Sequence, residues 1–155
     1  IIGLSKEFNT NSLASKIELF FGDLFAEIKK KSELIVFNPP WIPATQNIEG
    51  LDTAIYYDPD LFPCFFSEAI KHLEPDGRVL LLFSNLAEVS HLTKEHPIKE
   101  ELKNGGRFEK EVFLEKKVGR ASSKTRRNQH WREEERVELW VLKVKSTKHE
   151  ARSTK

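Results

Sequence analysis

At 155 residues and 18.0 kDa, with 39% hydrophobic and 10% aromatic content, the chain has the size and composition of one soluble globular domain with a sizeable core, or part of one. Its 25 basic and 24 acidic groups leave a formal charge of +1, which excludes a global field selecting for nucleic acid or an anionic membrane; any attraction to polyanions must be local. One cysteine, Cys64 in "FPCFF", excludes a disulfide within the chain and points to a reducing cytoplasm, with the thiol expected to be buried. No apolar run has the length of a membrane span and no signal segment opens the chain, so no membrane association is expected. There is no methionine, and the chain opens at "IIGLSKEF" as though within an element, which reads as a fragment or a processed chain.

In chain order, Ile1, Leu4, Phe8 and Leu13 recur at a loose helical spacing, and "NTNS" suits a helix terminus. "KIELFFGDLF" carries β-branched and aromatic residues into Gly22 and Asp23 and predicts a strand that leaves through a loop. "ELIVF" is almost wholly apolar, the pattern of a strand buried on both faces in a covered parallel sheet. Residues 45–60 lack a period and form a loop ending in Asp-Pro. "LFPCFFSEAIKHL" predicts a helix, "PDG" a turn and "RVLLLFS" a further strand, together one crossover unit. A second helix is expected through the 90s to Lys103, broken or restarted at Pro97 and ended by Gly105 and Gly106. "RFEKEVFLEKK" and "RVELWVLKVK" alternate apolar and polar residues, as an antiparallel hairpin at a sheet edge would. Residues 146–155 read as a polar, disordered tail behind a domain spanning residues 1–145.

The stretch that carries chemistry is "LIVFNPPWIPA". In an open α/β sheet ligands bind beyond the carboxyl ends of the strands, and Asn38–Trp41 follow such an end. Pro39 and Pro40 stiffen the backbone and remove two donors, leaving nearby carbonyls free to accept, and Asn38 adds a side-chain carbonyl. Rigid acceptors converging on one point suit an NH₂ group, which has two hydrogens to give; Trp41 offers a flat face for a planar amide or base. Drawing those hydrogens toward carbonyl oxygens localises the nitrogen lone pair for in-line attack on a methyl group. The plain alternative is that Asn38, Pro39 and Pro40 end a strand and Trp41 plugs the core.

"LIVFNPPW" resembles the signature of class I methyltransferases that use S-adenosylmethionine to methylate planar amino groups, among them adenine-methylating enzymes and release-factor glutamine methyltransferases. "IELFFGDLF" looks like that family's third strand and adenine-reaching loop, "LEPDGRVLLLFS" is similar to its turn and fifth strand, and the last two strands suit its closing antiparallel pair. The resemblance implies a Rossmann-like α/β fold with an antiparallel C-terminal hairpin. It implies S-adenosylmethionine as cofactor, held by Asp23, Leu24 and Asn38, and a catalytic set of Asn38, Pro39, Pro40 and Trp41. The substrate would meet Trp41, Tyr56 and Tyr57, and no metal is called for. For Asp23, a loop-capping carboxylate is the equal alternative.

The family's glycine-rich loop after its first strand and the acidic residue after its second are not in this sequence: none of Gly3, Gly22, Gly50, Gly77, Gly105, Gly106 and Gly119 makes a G-x-G loop. By resemblance the first two strands lie upstream, the fold here is incomplete, and the isolated chain is expected to be inactive while the intact protein is a methyltransferase.

"KKVGRASSKTRRNQHWR", residues 116–132, gathers bases around an aromatic, either as a grip on RNA or DNA phosphates or as a solvated hairpin loop diluted by the following "EEE". His72, His91, His96, His130 and His149 lack metal-ligand spacing, and His91 and His96 are expected at the surface. The methyl acceptor, protein glutamine or nucleic-acid adenine, stays open, as does oligomeric state. A competing class is a non-catalytic methyltransferase-like module that binds nucleic acid or a partner.

Overall fold

The computed structural model describes residues 16–44, 55–119 and 130–145; the expected N-terminal helix, the centre of the loop after Trp41, most of the basic loop and the polar tail lie outside them. In chain order come β1 (Ser32–Phe37), β2 (Ile42–Pro43), β3 (Tyr56–Tyr57), α1 (Leu61–His72), β4 (Leu73–Ser84), the short helices α2 (Leu86–Val89) and α3 (Pro97–Glu100), β5 (Phe108–Lys117) and β6 (Arg136–Val144). β1, β4, β6 and β5 form a mixed sheet in that order, parallel between β1 and β4 and antiparallel in the other two pairings. A parallel pair requires a crossover, which α1 supplies.

The core lies between α1 and one sheet face. Phe62, Phe65, Phe66 and Ala69 recur at i, i+3, i+4 and i+7, and all four are buried with Val79, Leu81 and Phe83 of β4 and Trp140 and Leu142 of β6. Each phenyl side chain withdrawn from water contributes about 1.5–3 kcal/mol. The same periodicity corrects the expectation for Cys64, which falls outside that stripe and is exposed.

The "PDG" turn is built into the sheet as a bulge. The β1–β4 register jumps from Ser32↔Leu73 to Leu34↔Arg78, so Glu74–Gly77 loop out of the pairing. A Cβ at position 77 would meet Leu73 Cδ2 at 2.8 Å and the Ser32 carbonyl oxygen at 3.0 Å, so glycine is needed there for close approach. The expected second helix is two short ones. Pro97 restarts the chain as α3, which widens into a π turn over Glu101–Gly105 and stops at Gly106 in the left-handed region (φ 64°). The hairpin matches its expectation, pairing from Phe108↔Val144 to Lys117↔Arg136.

His96 corrects the sequence reading. It is 3% exposed and caps α3: its Nδ1 accepts the backbone N–H groups of Ile98 and Lys99 at 3.2 and 3.4 Å. The ring proton therefore sits on Nε2, which donates to Glu138 Oε2 at 2.8 Å, and the Trp140 indole N–H donates to the same oxygen at 2.8 Å. Burial alone would raise the Glu138 carboxyl; the hydrogen bonds from His96 and Trp140 and the charge of Lys99 outweigh it and hold the group below the ordinary glutamate range.

Two apolar stretches are less covered than their composition predicts. Residues 17–21 are not a strand: Ile17, Leu19, Phe20 and Phe21 are exposed and pair with no described strand. On the sheet face opposite α1, Leu34 and Val36 of β1 and Val112 and Leu114 of β5 are exposed, so "ELIVF" is not buried on both faces. The outer edge of β1 has no strand neighbour among the described residues. An open apolar edge is a template for association. The isolated chain is expected to self-associate in sedimentation velocity, and Val36→Lys to shift it toward monomer; an unchanged distribution would place the contact elsewhere.

No helix among the described residues is long and apolar enough to cross a membrane.

Candidate functional site

β1 ends at Phe37, whose ring stacks on Phe65 of α1 (centroids 4.1 Å apart, planes at 15°), and the chain then leaves the carboxyl edge of the parallel pair as Asn38, Pro39, Pro40 and Trp41. Pro39 is buried, Pro40 and Trp41 are half-buried, and Asn38 is exposed. The Asn38 carboxamide hydrogen-bonds no described residue. β2 and β3 pair through Ile42↔Tyr56 and Pro43↔Tyr57, and the Ala44 N–H donates to the Tyr57 carbonyl at 2.8 Å. That short ladder brings Tyr56 and Tyr57 back beside the motif.

The result is a cleft of about 560 Å³ whose lining includes Asp23, Leu24, Asn38, Pro39, Pro40, Tyr56 and Tyr57. A second cleft, of about 580 Å³, shares Asn38, Pro39 and Pro40 and adds Trp41, Ile55 and Leu86. Both fall in the size range of small-molecule sites. The residues singled out in the sequence thus lie in two adjoining clefts, seven in the first and Trp41 in the second. Asp58, which the sequence places beside Tyr56 and Tyr57 where a substrate lid would be, also lines the first, as do Asp60 and Cys64, to which no motif pointed.

The loop from Gly22 to Ile28 reaches the cleft without a supporting strand. Hydrogen bonds from Ala26 N–H to the Asp23 carbonyl (3.0 Å) and from Ile28 N–H to the Phe25 carbonyl (2.8 Å) fold it, and Phe25 packs on Phe65 and His72 of α1 at 5.7 and 4.9 Å. Leu24 takes a positive φ of 47°, a conformation that costs a residue with a Cβ about 1–2 kcal/mol. Strain of this kind gathers where geometry at a site is over-determined.

Tyr57 differs from Tyr56. It is 7% exposed, its ring meets Phe62 edge-on at 5.2 Å, and burial pushes its phenol up to about 12. It is therefore a neutral wall of the cleft, while the half-buried Tyr56 is better placed to touch a ligand.

The donor set fits one end of S-adenosylmethionine. An acceptor carboxylate at Asp23 beside apolar Leu24 suits an amino-substituted heterocycle, and Asn38 adds an acceptor at the shared wall. No glycine cradle for the amino-acid end lies among the described residues.

No protein-family model and no curated protein sequence matches the chain. Among solved structures it is similar to a ribosomal protein L11 methylase from Lactobacillus delbrueckii subsp. bulgaricus, at 18% identity and a TM-score of 0.41, over 80% of this chain and 42% of that one. The chain thus spans less than half the length of that structure.

Proposed function

We propose that this chain carries the acceptor-nitrogen site of a Rossmann-like class I methyltransferase that moves a methyl group from S-adenosylmethionine to a planar amino or amide nitrogen. The observation that supports it most is the placement of Asn38: a carboxamide without a hydrogen-bond partner among the described residues, at the carboxyl end of a parallel strand, stiffened by two prolines and shared by two clefts, one holding Asp23 and the other Trp41.

S-adenosylmethionine, when bound, supplies an electrophilic methyl group on a positively charged sulfur. Asn38 Oδ1 and a carbonyl of the Asn38–Pro40 backbone would accept the two hydrogens of the acceptor NH₂ and so orient its lone pair. Trp41 would stack on the planar acceptor and hold it in place, and Asp23 and Leu24 would hold the adenine. No strong general base is needed, because the methylated nitrogen sheds its proton to solvent.

Because the sequence contains no G-x-G loop, the assay uses the product of the native gene. Incubated with methyl-labelled S-adenosylmethionine and separate protein and nucleic-acid acceptor pools, it is expected to place label on a side-chain amide or exocyclic amine nitrogen. Label on oxygen or carbon alone, or none in either pool, would contradict the reading.

A further inference from the structure

We propose that the acceptor nitrogen is presented by a basic protein segment and not by a nucleic acid. This deepens the reading above and rests on it. Residues 32–70, which hold the motif and its following loop, contain six acids, Glu33, Glu49, Asp52, Asp58, Asp60 and Glu68, and no Lys, Arg or His, although the whole chain has 25 basic and 24 acidic groups. Three acids line the Asn38 cleft, Asp23, Asp58 and Asp60, and among the described residues no cation does. None of the three makes an ion pair among the described residues; Asp58 Oδ1 accepts the Asp60 N–H at 3.0 Å. The Trp41 cleft has no charged lining residue among the described residues.

A groove of about 420 Å³ that shares Tyr57 with the cleft extends the pattern. Pro59, Pro63 and Pro97 give it apolar walls, Glu95 adds another acid, and Arg107, the one cation in its lining, is held by Glu101 at 2.9 and 2.8 Å. An extended chain entering Asn38 would meet carboxylates and apolar walls on this side. A phosphodiester backbone would carry one negative charge per nucleotide past the same acids, while lysine and arginine side chains neutralise them. One cofactor sulfonium does not offset three carboxylates.

Several described cations lie away from the motif or are already paired. Lys29, Lys30 and Lys31 precede β1, at the opposite end of that strand, about 20 Å from the motif. Arg132 and Arg136 are paired with Glu135 and Glu115. Lys116 and Lys117 sit on β5, separated from β1 by β4 and β6, which is about 15 Å and beyond one Debye length at physiological salt.

The test is fluorescence anisotropy on the native gene product with two labelled probes: a peptide with one glutamine flanked by two lysines on each side, and a nine-nucleotide single strand with one central adenine. The peptide is expected to bind at least about tenfold more tightly, to lose binding with Trp41→Ala, and to weaken about tenfold with Asp58→Asn plus Asp60→Asn and with added salt. Both aspartates are exposed, so the double variant is expected to fold. Tighter binding of the oligonucleotide, peptide affinity indifferent to the two aspartates, or binding of neither probe would overturn the inference. Calorimetry with S-adenosylmethionine on the same sample separates the two claims: cofactor binding with preference for the oligonucleotide sinks only the basic-segment inference, whereas lack of cofactor binding sinks the methyl-transfer reading.

Discussion

Asn38→Ala is expected to lower the methyl-transfer rate of the native gene product by about two to three orders of magnitude while leaving its melting temperature close to that of the parent. The two halves of that expectation come from one fact. Asn38 is exposed and its carboxamide holds nothing together in the described structure, so its removal costs little folding energy. In the proposed reaction it accepts a hydrogen whose acidity grows as the nitrogen attacks, so its loss falls on the transition state. Asn38→Asp keeps an acceptor of similar shape and is expected to retain more activity than alanine. A rate and melting temperature both unchanged in Asn38→Ala would mean that the motif only ends a strand; a large fall in both would mean that it packs.

Glu138→Ala carries the largest expected stability effect. The carboxylate, in a residue 3% exposed, accepts the His96 Nε2–H and the Trp140 indole N–H, and His96 in turn caps α3. Alanine strands two buried donors and releases the cap, at a cost of about 3–5 kcal/mol, or roughly 10 °C in melting temperature for a domain of this size. The pH dependence has a definite sign. The folded pKa of Glu138 is lowered from the ordinary value of 4.5, so its stabilisation is complete above that value and is lost as pH falls through the folded one. Melting temperatures measured between pH 7 and pH 3 are therefore expected to drop on acidification, and the drop to be shallower in Glu138→Ala. A variant with an unshifted melting temperature, or with the same acid slope, would remove Glu138 from this role.

The sequence was legible where one local pattern decides the outcome. The buried face of α1 follows from the spacing of Phe62, Phe65, Phe66 and Ala69, the hairpin from strict alternation in two segments, and the position of Asn38–Trp41 from the apolar strand before them. The residues singled out around the motif share two adjoining clefts, although nothing in their spacing shows that β2 and β3 bring Tyr56 and Tyr57 back to it. Tertiary partners decide the rest. His96 is buried because Glu138, forty-two positions further on, accepts a hydrogen bond from its Nε2–H. Cys64 is exposed because an apolar neighbourhood in sequence is not a helix face. Residues 17–21 have strand composition but no described strand beside them, and composition cannot supply a ladder partner. The positive φ of Leu24 has no residue signature, since glycine or asparagine is what that conformation favours.

The most direct test of the central claim is calorimetric titration of the native gene product with S-adenosylmethionine, beside variants at Asp23 and Asn38. The account predicts binding at micromolar affinity, weakened about tenfold or more by Asp23→Ala and by Asn38→Ala, as expected for lost hydrogen bonds to a charged or strongly polar group. Absence of binding, or binding that neither substitution changes, would contradict it.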